Sequence, residues 1–337
     1  MRRVGFILFL ACAASLNAAA QARSAYENGM AAFDAHDYAR AVTLFAAAEQ
    51  GAPGATDALL FEGKSLANLD KFGEAETVLR KYVSGHTDSA DGFYMLGYVL
   101  NREDHPAESL KVYTQAARRS TPKSDDLKVV ATDYVLLNDY PDAIKWMRQA
   151  IELDPKNQAA WYGLGRCYYS QSSFNEAAQA FRYALKLDPK DLRSQMNLAL
   201  ALEMLNQPAQ AEREYRQSVV LADADPHSDQ WPYLNYGSFL LGGGRAAEAI
   251  PLLEKAVAIA PQCAACHGKL GRALMMTGKD AAAVSELERA VTLNPKDAKL
   301  HYALGHAYQA AKMPSRAKKE LTIAAQMYAS KDGSGNQ

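Results

Sequence analysis

The sequence predicts an all-α chain, an α-solenoid of nine tandem helix–turn–helix repeats, on three observations. A small residue recurs at Gly29, Gly63, Gly97, Ala131, Gly165, Ala199, Gly237, Gly271 and Gly305, every step being 34 residues except one of 38. A second small residue follows each by 12 positions, at Ala41, Ala75, Ser109, Ala143, Ala177, Ala211, Ala249, Ala283 and Ala317. Prolines at 53, 155, 189, 261 and 295 fall between units, where a residue without an amide donor ends one helix and opens the next. A fixed period of this length is the mark of a repeat array, in which each unit buries its apolar face only by stacking on its neighbours.

Each repeat justifies itself in turn. The first carries Gly29, Ala41 and Phe45 and closes at Pro53. The second and third carry Leu79 and Tyr113 four residues beyond their second small residue, and the fourth carries Met147 there and closes at Pro155. The fifth, "AAWYGLGRCYYSQSSFNEAAQAFRYALKLDP", sets Trp161, Leu164, Gly165 and Tyr168 on one helical face, and Ala177, Phe181 and Ala184 on a second. Small residues at Gly165 and Ala177 let the two helices approach closely. The sixth and seventh, with Tyr215 and Leu253 as fillers, flank the 38-residue step, whose "DADPHSDQW" reads as a solvated loop because a calcium loop lacks its glycine at Ser228 and its glutamate at Leu234. The eighth and ninth carry Leu287 and Leu321, and Arg316, Lys318, Lys319 and Glu320 give the last helix a solvated, capping face.

These residues resemble the tetratricopeptide repeat (TPR), of an exported bacterial type, and the resemblance implies a right-handed superhelix whose first helices line a concave groove. It also implies which positions face that groove: three before, one after and four after the Gly165 column. Reading those positions gives Tyr94 and Tyr98 with Asn101, then Tyr162, Arg166 and Tyr169, then Met196, Leu200 and Glu203, then Leu234, Ser238 and Leu241, and finally Tyr302 and His306. The candidate partner-binding residues are Tyr94, Tyr98, Tyr162, Arg166, Tyr169, Met196, Leu200 and Leu234. Tyrosine offers a large contact area with a polar tip, and methionine adapts to varied ligands. The Lys and Asn clamp by which one family member holds acidic chaperone tails is not reproduced at Tyr162, Arg166, Met196 and Leu200.

The ends bound the compartment. "MRRVGFILFLACAASLNAAAQA" places two arginines before an apolar stretch and ends in A-x-A steps at Ala20 and Ala22, so residues 1–22 read as a secretory signal peptide. Residues 23–329 form the repeats, and 330–337 read as a disordered tail. An uncleaved anchor and a lipid on Cys12 are the two alternatives that would bring a membrane into play. The expectation is an exported protein, periplasmic or secreted.

Composition excludes several classes. The formal charge of −1 becomes −3 once Arg2 and Arg3 are removed, and there is no basic stripe of the kind nucleic acid requires. No phosphate-binding loop, serine nucleophile elbow or zinc-protease motif occurs, so neither an enzyme nor a resident cofactor or metal is expected. One motif stands apart. Cys263-Ala-Ala-Cys266-His267 fits the attachment signature of a c-type haem, which makes an electron-transfer protein the alternative function. The period places the same five residues in the first turn of the eighth repeat, with His267 where the fifth has Trp161 and the ninth has His301. Free thiols, a disulfide and a haem linkage stay open at this point. The favoured reading is a non-enzymatic scaffold that holds a protein or peptide partner in its groove.

Overall fold

The computed structural model describes residues 2–52 and 57–333, with side chains described for 18–52 and 57–329. Among the described residues there are eighteen helices and no strand, divided between two units, residues 1–187 and 188–337. In the first unit the repeats pair α1 (Arg2–Asp34) with α2 (Tyr38–Gly51), α3 (Ala58–Asn68) with α4 (Phe72–Gly85), and α5 (Ala90–Arg102) with α6 (Pro106–Ala117). They continue with α7 (Ser124–Leu136) and α8 (Tyr140–Leu153), then α9 (Gln158–Ser170) and α10 (Phe174–Leu187). The second unit holds α11 (Leu192–Met204) with α12 (Pro208–Ala224), α13 (Trp231–Gly242) with α14 (Ala246–Ile259), α15 (Ala264–Met276) with α16 (Asp280–Leu293), and α17 (Ala298–Ala310) with α18 (Pro314–Gly333). Within each unit, the first helices of successive repeats pack side by side, as α5 does on α7 and α15 on α17.

The period is written in the packing. All nine second-column residues, Ala41 through Ala317, are buried, and they include the one polar member, Ser109. The glycine column works differently from the expected approach to Ala177. A methyl placed on Gly165 would lie 2.6 Å from the Phe181 ring, so the glycine makes room for the large filler of the next helix. The same closeness recurs between Gly29 and Phe45, Gly97 and Tyr113, and Gly271 and Leu287.

Turns and caps follow the same clock. The residues at His36, Asp70, Asp104, Asn138, Ser172, Asn206, Gly244, Gly278 and Lys312 all have positive φ, one between the two helices of each repeat. This left-handed residue closes the first helix and reverses the chain. It accounts for the glycine run before Arg245 without a phosphate. Several first helices open on side-chain caps, with Ser89 accepting from the Gly92 amide and Asn157 from the Ala160 amide.

The 38-residue step is absorbed mainly by a longer helix. α12 spans 17 residues where α8 and α10 span 14, so Asp223 sits in its last turn instead of in a loop. Its carboxylate accepts from the Tyr233 hydroxyl and from Lys255 Nζ, both at 2.5 Å, and Asp225 and Asp229 accept from the nearby amides of His227 and Trp231.

At the N-terminus α1 is already packed at Ala22, which is buried against Gly51. The side chains of residues 1–17, and Cys12 with them, lie outside the described residues, as do Pro53 and residues 334–337. α18 runs to Gly333, so its last turn enters the stretch read as a tail. Among the described residues no helix is long and apolar enough to cross a membrane.

Candidate functional site

The columns that the resemblance places on the groove supply Gly268, Arg272, Met275, Tyr302 and His306 to one cavity in the second unit. Between α15, α17 and α18 lies a cavity of about 580 Å³. Gly268 stands where other repeats carry a large side chain, and Leu300 takes the space, its Cδ2 lying 2.6 Å from where a methyl would be; Met275, Tyr302 and Tyr328 add apolar lining. Tyr302 is 52% exposed and its ring stands edge-on to His306, 4.4 Å away. Lys269, Arg272 and Lys299 bring positive charge to the lining, beside the apolar Ala265, Leu300 and Ala303. Burial, reinforced by the neighbouring Arg272 charge, holds the Lys269 ammonium below the ordinary lysine range. The one carboxylate lining the cavity, Asp297, is engaged in capping α17 through the Lys299 amide at 2.9 Å. An extended segment bearing a carboxylate and an apolar side chain fits this combination of charge and apolar lining.

The first unit offers a smaller, mixed surface. Tyr94 and Tyr98 share a cavity of about 430 Å³ with Lys64, Lys123 and Lys128 and with Asp91, Asp125 and Asp126, the charges being interspersed, as in the Lys128–Asp125 ion pair at 2.7 Å. Tyr94 is less available than its column implies: it is half-buried, packs 5.8 Å from the Tyr113 ring and donates to the Ser120 carbonyl at 2.8 Å. Tyr98 accepts from Arg102 at 3.0 Å. Tyr162 and Tyr169 are half-buried on α9, against Phe181 and Phe174, with Arg166 exposed between them.

In the second unit Met196 and Leu200 are half-buried on α11. Leu234 is a correction: at 4% exposure it belongs to the core and leaves almost no surface for a partner. Lys269 and Arg272 were missed by the sequence reading. Arg272 stands in the read column one after Gly271, and Lys269, two before it, lies between columns.

The haem signature resolves into helix-capping chemistry. Cys263 and Cys266 are bonded to each other, and the Cys263 sulfur caps α15 by accepting from the Cys266 amide at 3.1 Å. His267 is 7% exposed and neither ring nitrogen is open to a metal. Nδ1 meets Glu286 at 2.6 Å, and Nε2 donates to the Pro261 carbonyl at 3.1 Å. His301 repeats the pattern with Glu320 and Pro295, and the Trp161 indole donates to the Pro155 carbonyl at 3.0 Å. A histidine in this column therefore ties the helix to the proline before it. The haem alternative is not supported.

The cap gives a first prediction. Cys263→Ser with Cys266→Ala removes the disulfide but keeps a better cap acceptor, and it should be about 1 kcal/mol more stable than the double alanine variant. Urea midpoints of the two variants decide it, and equal midpoints would remove the cap from the account.

Comparison with known proteins agrees with the geometry. Family models described as the tetratricopeptide repeat match residues 26–92, 131–191, 168–229 and 240–291. No curated protein matches the chain. Among solved structures, the chain is similar to the APC/C hetero-tetramer Cut9–Hcn1, with 14% identity over 91% of this chain and 73% of that one, at a TM-score of 0.56. It is also similar to PilW, described as a widely conserved type IV pilus biogenesis factor, with 23% identity over 58% of this chain and 90% of that one, at a TM-score of 0.52. At such identities the likeness speaks to the fold alone. With the 34-residue clock, the paired small residues and the matching models all on the same segments, the chain belongs to the tetratricopeptide repeat family.

Proposed function

We propose that the chain is an exported, non-enzymatic scaffold that holds an extended segment of a partner protein, with its main contact between α15 and α17. The observation that carries this is the cavity of about 580 Å³, in which Arg272, Tyr302, His306 and Met275 occupy the positions that face the groove in this family. Positive charge beside apolar lining supports a partner segment that presents an acidic group next to a large side chain. With the repeats already stacked and the anchors in place, the protein itself loses little conformational freedom on binding, and the ordering cost falls on the partner segment. The N-terminal pattern of two arginines, an apolar stretch and alanine steps supports placing this work in the periplasm or cell envelope.

Site-specific photo-crosslinking in cells tests the reading. A photoreactive residue replacing Tyr302 should give a discrete adduct that Arg272→Glu abolishes, while one replacing the exposed Val220 on α12 should give none. Adducts of the same kind at both positions would remove the groove from the function. Intact mass of the periplasmic protein should show a start at Gln21 or Arg23, and a full-length chain would refute the cleaved signal.

A further inference from the structure

We propose that Lys269 is a covalent attachment site, its amine forming an imine with an aldehyde that carries an anionic group. Two residues before the glycine column no other repeat has a cation, and the repeats on either side have Asn235 and Ala303 there. Lys269 is half-buried and lines the cavity of about 580 Å³ between α15, α17 and α18, a volume in the range of small-molecule sites.

The surroundings lack the anion that a lysine ordinarily finds. Among the described residues the Lys269 ammonium has no hydrogen bond and no ion pair. Arg272 follows it by three positions, on the same face of α15, and Lys299 joins the lining from α17. The lining thus holds three cations and one carboxylate, and that carboxylate, Asp297, is occupied as the cap of α17. Glu203 on α11 exerts an opposing field, but it accepts from the Tyr215 hydroxyl at 2.6 Å. Burial, with the charges of Arg272 and Lys299, outweighs it and keeps the ammonium below the ordinary lysine range.

A lysine attacks only as the neutral amine, which desolvation and like charge both favour. The Lys269 nitrogen adds to the aldehyde carbon, the carbonyl electron pair passes to oxygen, and loss of one water leaves the C=N bond. Arg272 stays charged throughout and, with Lys299, receives the anionic group. Met275 and Tyr302 offer apolar surface to the body of the molecule between its two ends. Attachment needs the cavity and no protein partner, so its test is independent of the crosslink at Tyr302.

The full chain, with its disulfide intact, is incubated at pH 7.5 with 4-formylbenzoate and cyanoborohydride, which reduces the imine to a stable secondary amine, and the labelled positions are mapped by peptide mass. Lys269 should be labelled at least about tenfold faster than any other lysine, the low end of what a cleft lined by one sign of charge adds to an encounter. 4-Formylbenzamide, of the same shape without the charge, should lose that lead. Lys269→Arg keeps the charge and should remove the fast phase of the mass gain. In Arg272→Gln with Lys299→Gln, both exposed positions, the acid and the amide should label Lys269 at equal rates, with an unchanged melting midpoint reporting an intact fold. Labelling spread evenly over the lysines would overturn the proposal. So would equal labelling of Lys269 by acid and amide in the native chain, or an acid preference that survives the double variant.

Discussion

Phe181→Ala should lower the stability of the first unit by about 3–5 kcal/mol, the range for removing a fully buried aromatic ring from a core. The ring is 0% exposed, and it fills the space that the Gly165 column leaves open. The glycine is there for the ring, and this gives the prediction a sign that can reverse. In the native chain, Gly165→Ala puts a methyl 2.6 Å from the ring, an overpacked contact costing about 1–3 kcal/mol. In the Phe181→Ala background the same methyl enters empty space, and alanine in a helix is worth up to about 1 kcal/mol over glycine. Gly165→Ala should therefore destabilise the native chain and stabilise the variant. Because stability in a repeat array is a sum of local terms, the loss should appear in hydrogen exchange first at α9 and α10. Urea unfolding of the four chains measures the coupling, and additive effects would show that Gly165 and Phe181 do not share one space.

Much of this was legible in the sequence because repetition makes physical constraint visible. A single glycine says little, but a small residue at one phase of a 34-residue period must answer to a neighbour at a fixed offset. That period located the helix pairs, the turn at "LGGGR" and the ordinary place of His267. It could not say that Gly165 serves Phe181 more than Ala177, since both lie on the facing helix and only coordinates separate them. The groove columns were partly legible. Tyr302, His306 and Arg272 stand on read positions, whereas Lys269 reaches the cavity from between columns and Leu234 is drawn into the core. The remaining signal was in the exceptions. Two after the glycine column the residues are Ala31, Ser65, Val99, Cys167, Ala201, Phe239, Ala273 and Ala307, all uncharged, yet the fourth repeat has Asp133. The second small column is alanine everywhere but Ser109.

Those two exceptions meet, and Asp133→Asn should raise stability at pH 7.5 by about 2 kcal/mol, with the gain vanishing near pH 4. Asp133 is 0% exposed. It accepts from Asn101 Nδ2 at 2.7 Å and stands 2.6 Å from the Ser109 hydroxyl, which is itself 2.9 Å from the Gly97 carbonyl. One hydroxyl proton cannot serve both neighbours of Ser109. A protonated Asp133 can donate to Ser109 Oγ while Ser109 donates to Gly97, and every contact is then satisfied. Burial pushes the carboxyl in the same direction, up to about 6, against the lowering effect of the Asn101 and Ser109 hydrogen bonds. The folded chain therefore holds this proton over a range where the unfolded chain has lost it. The sign of the linkage follows: the contribution of Asp133 is greatest below about pH 4, declines as pH rises through about 6, and stays low above that. Asparagine keeps the acceptor for Asn101 and supplies a permanent donor to Ser109, so it carries none of this pH dependence. Subtracting the two stability curves cancels every other titrating group. A difference that grows between pH 4 and 6.5 and then levels off is the expected result; a variant that is less stable at pH 7.5 would mean that the ionised carboxylate is better served by its two donors than an amide would be.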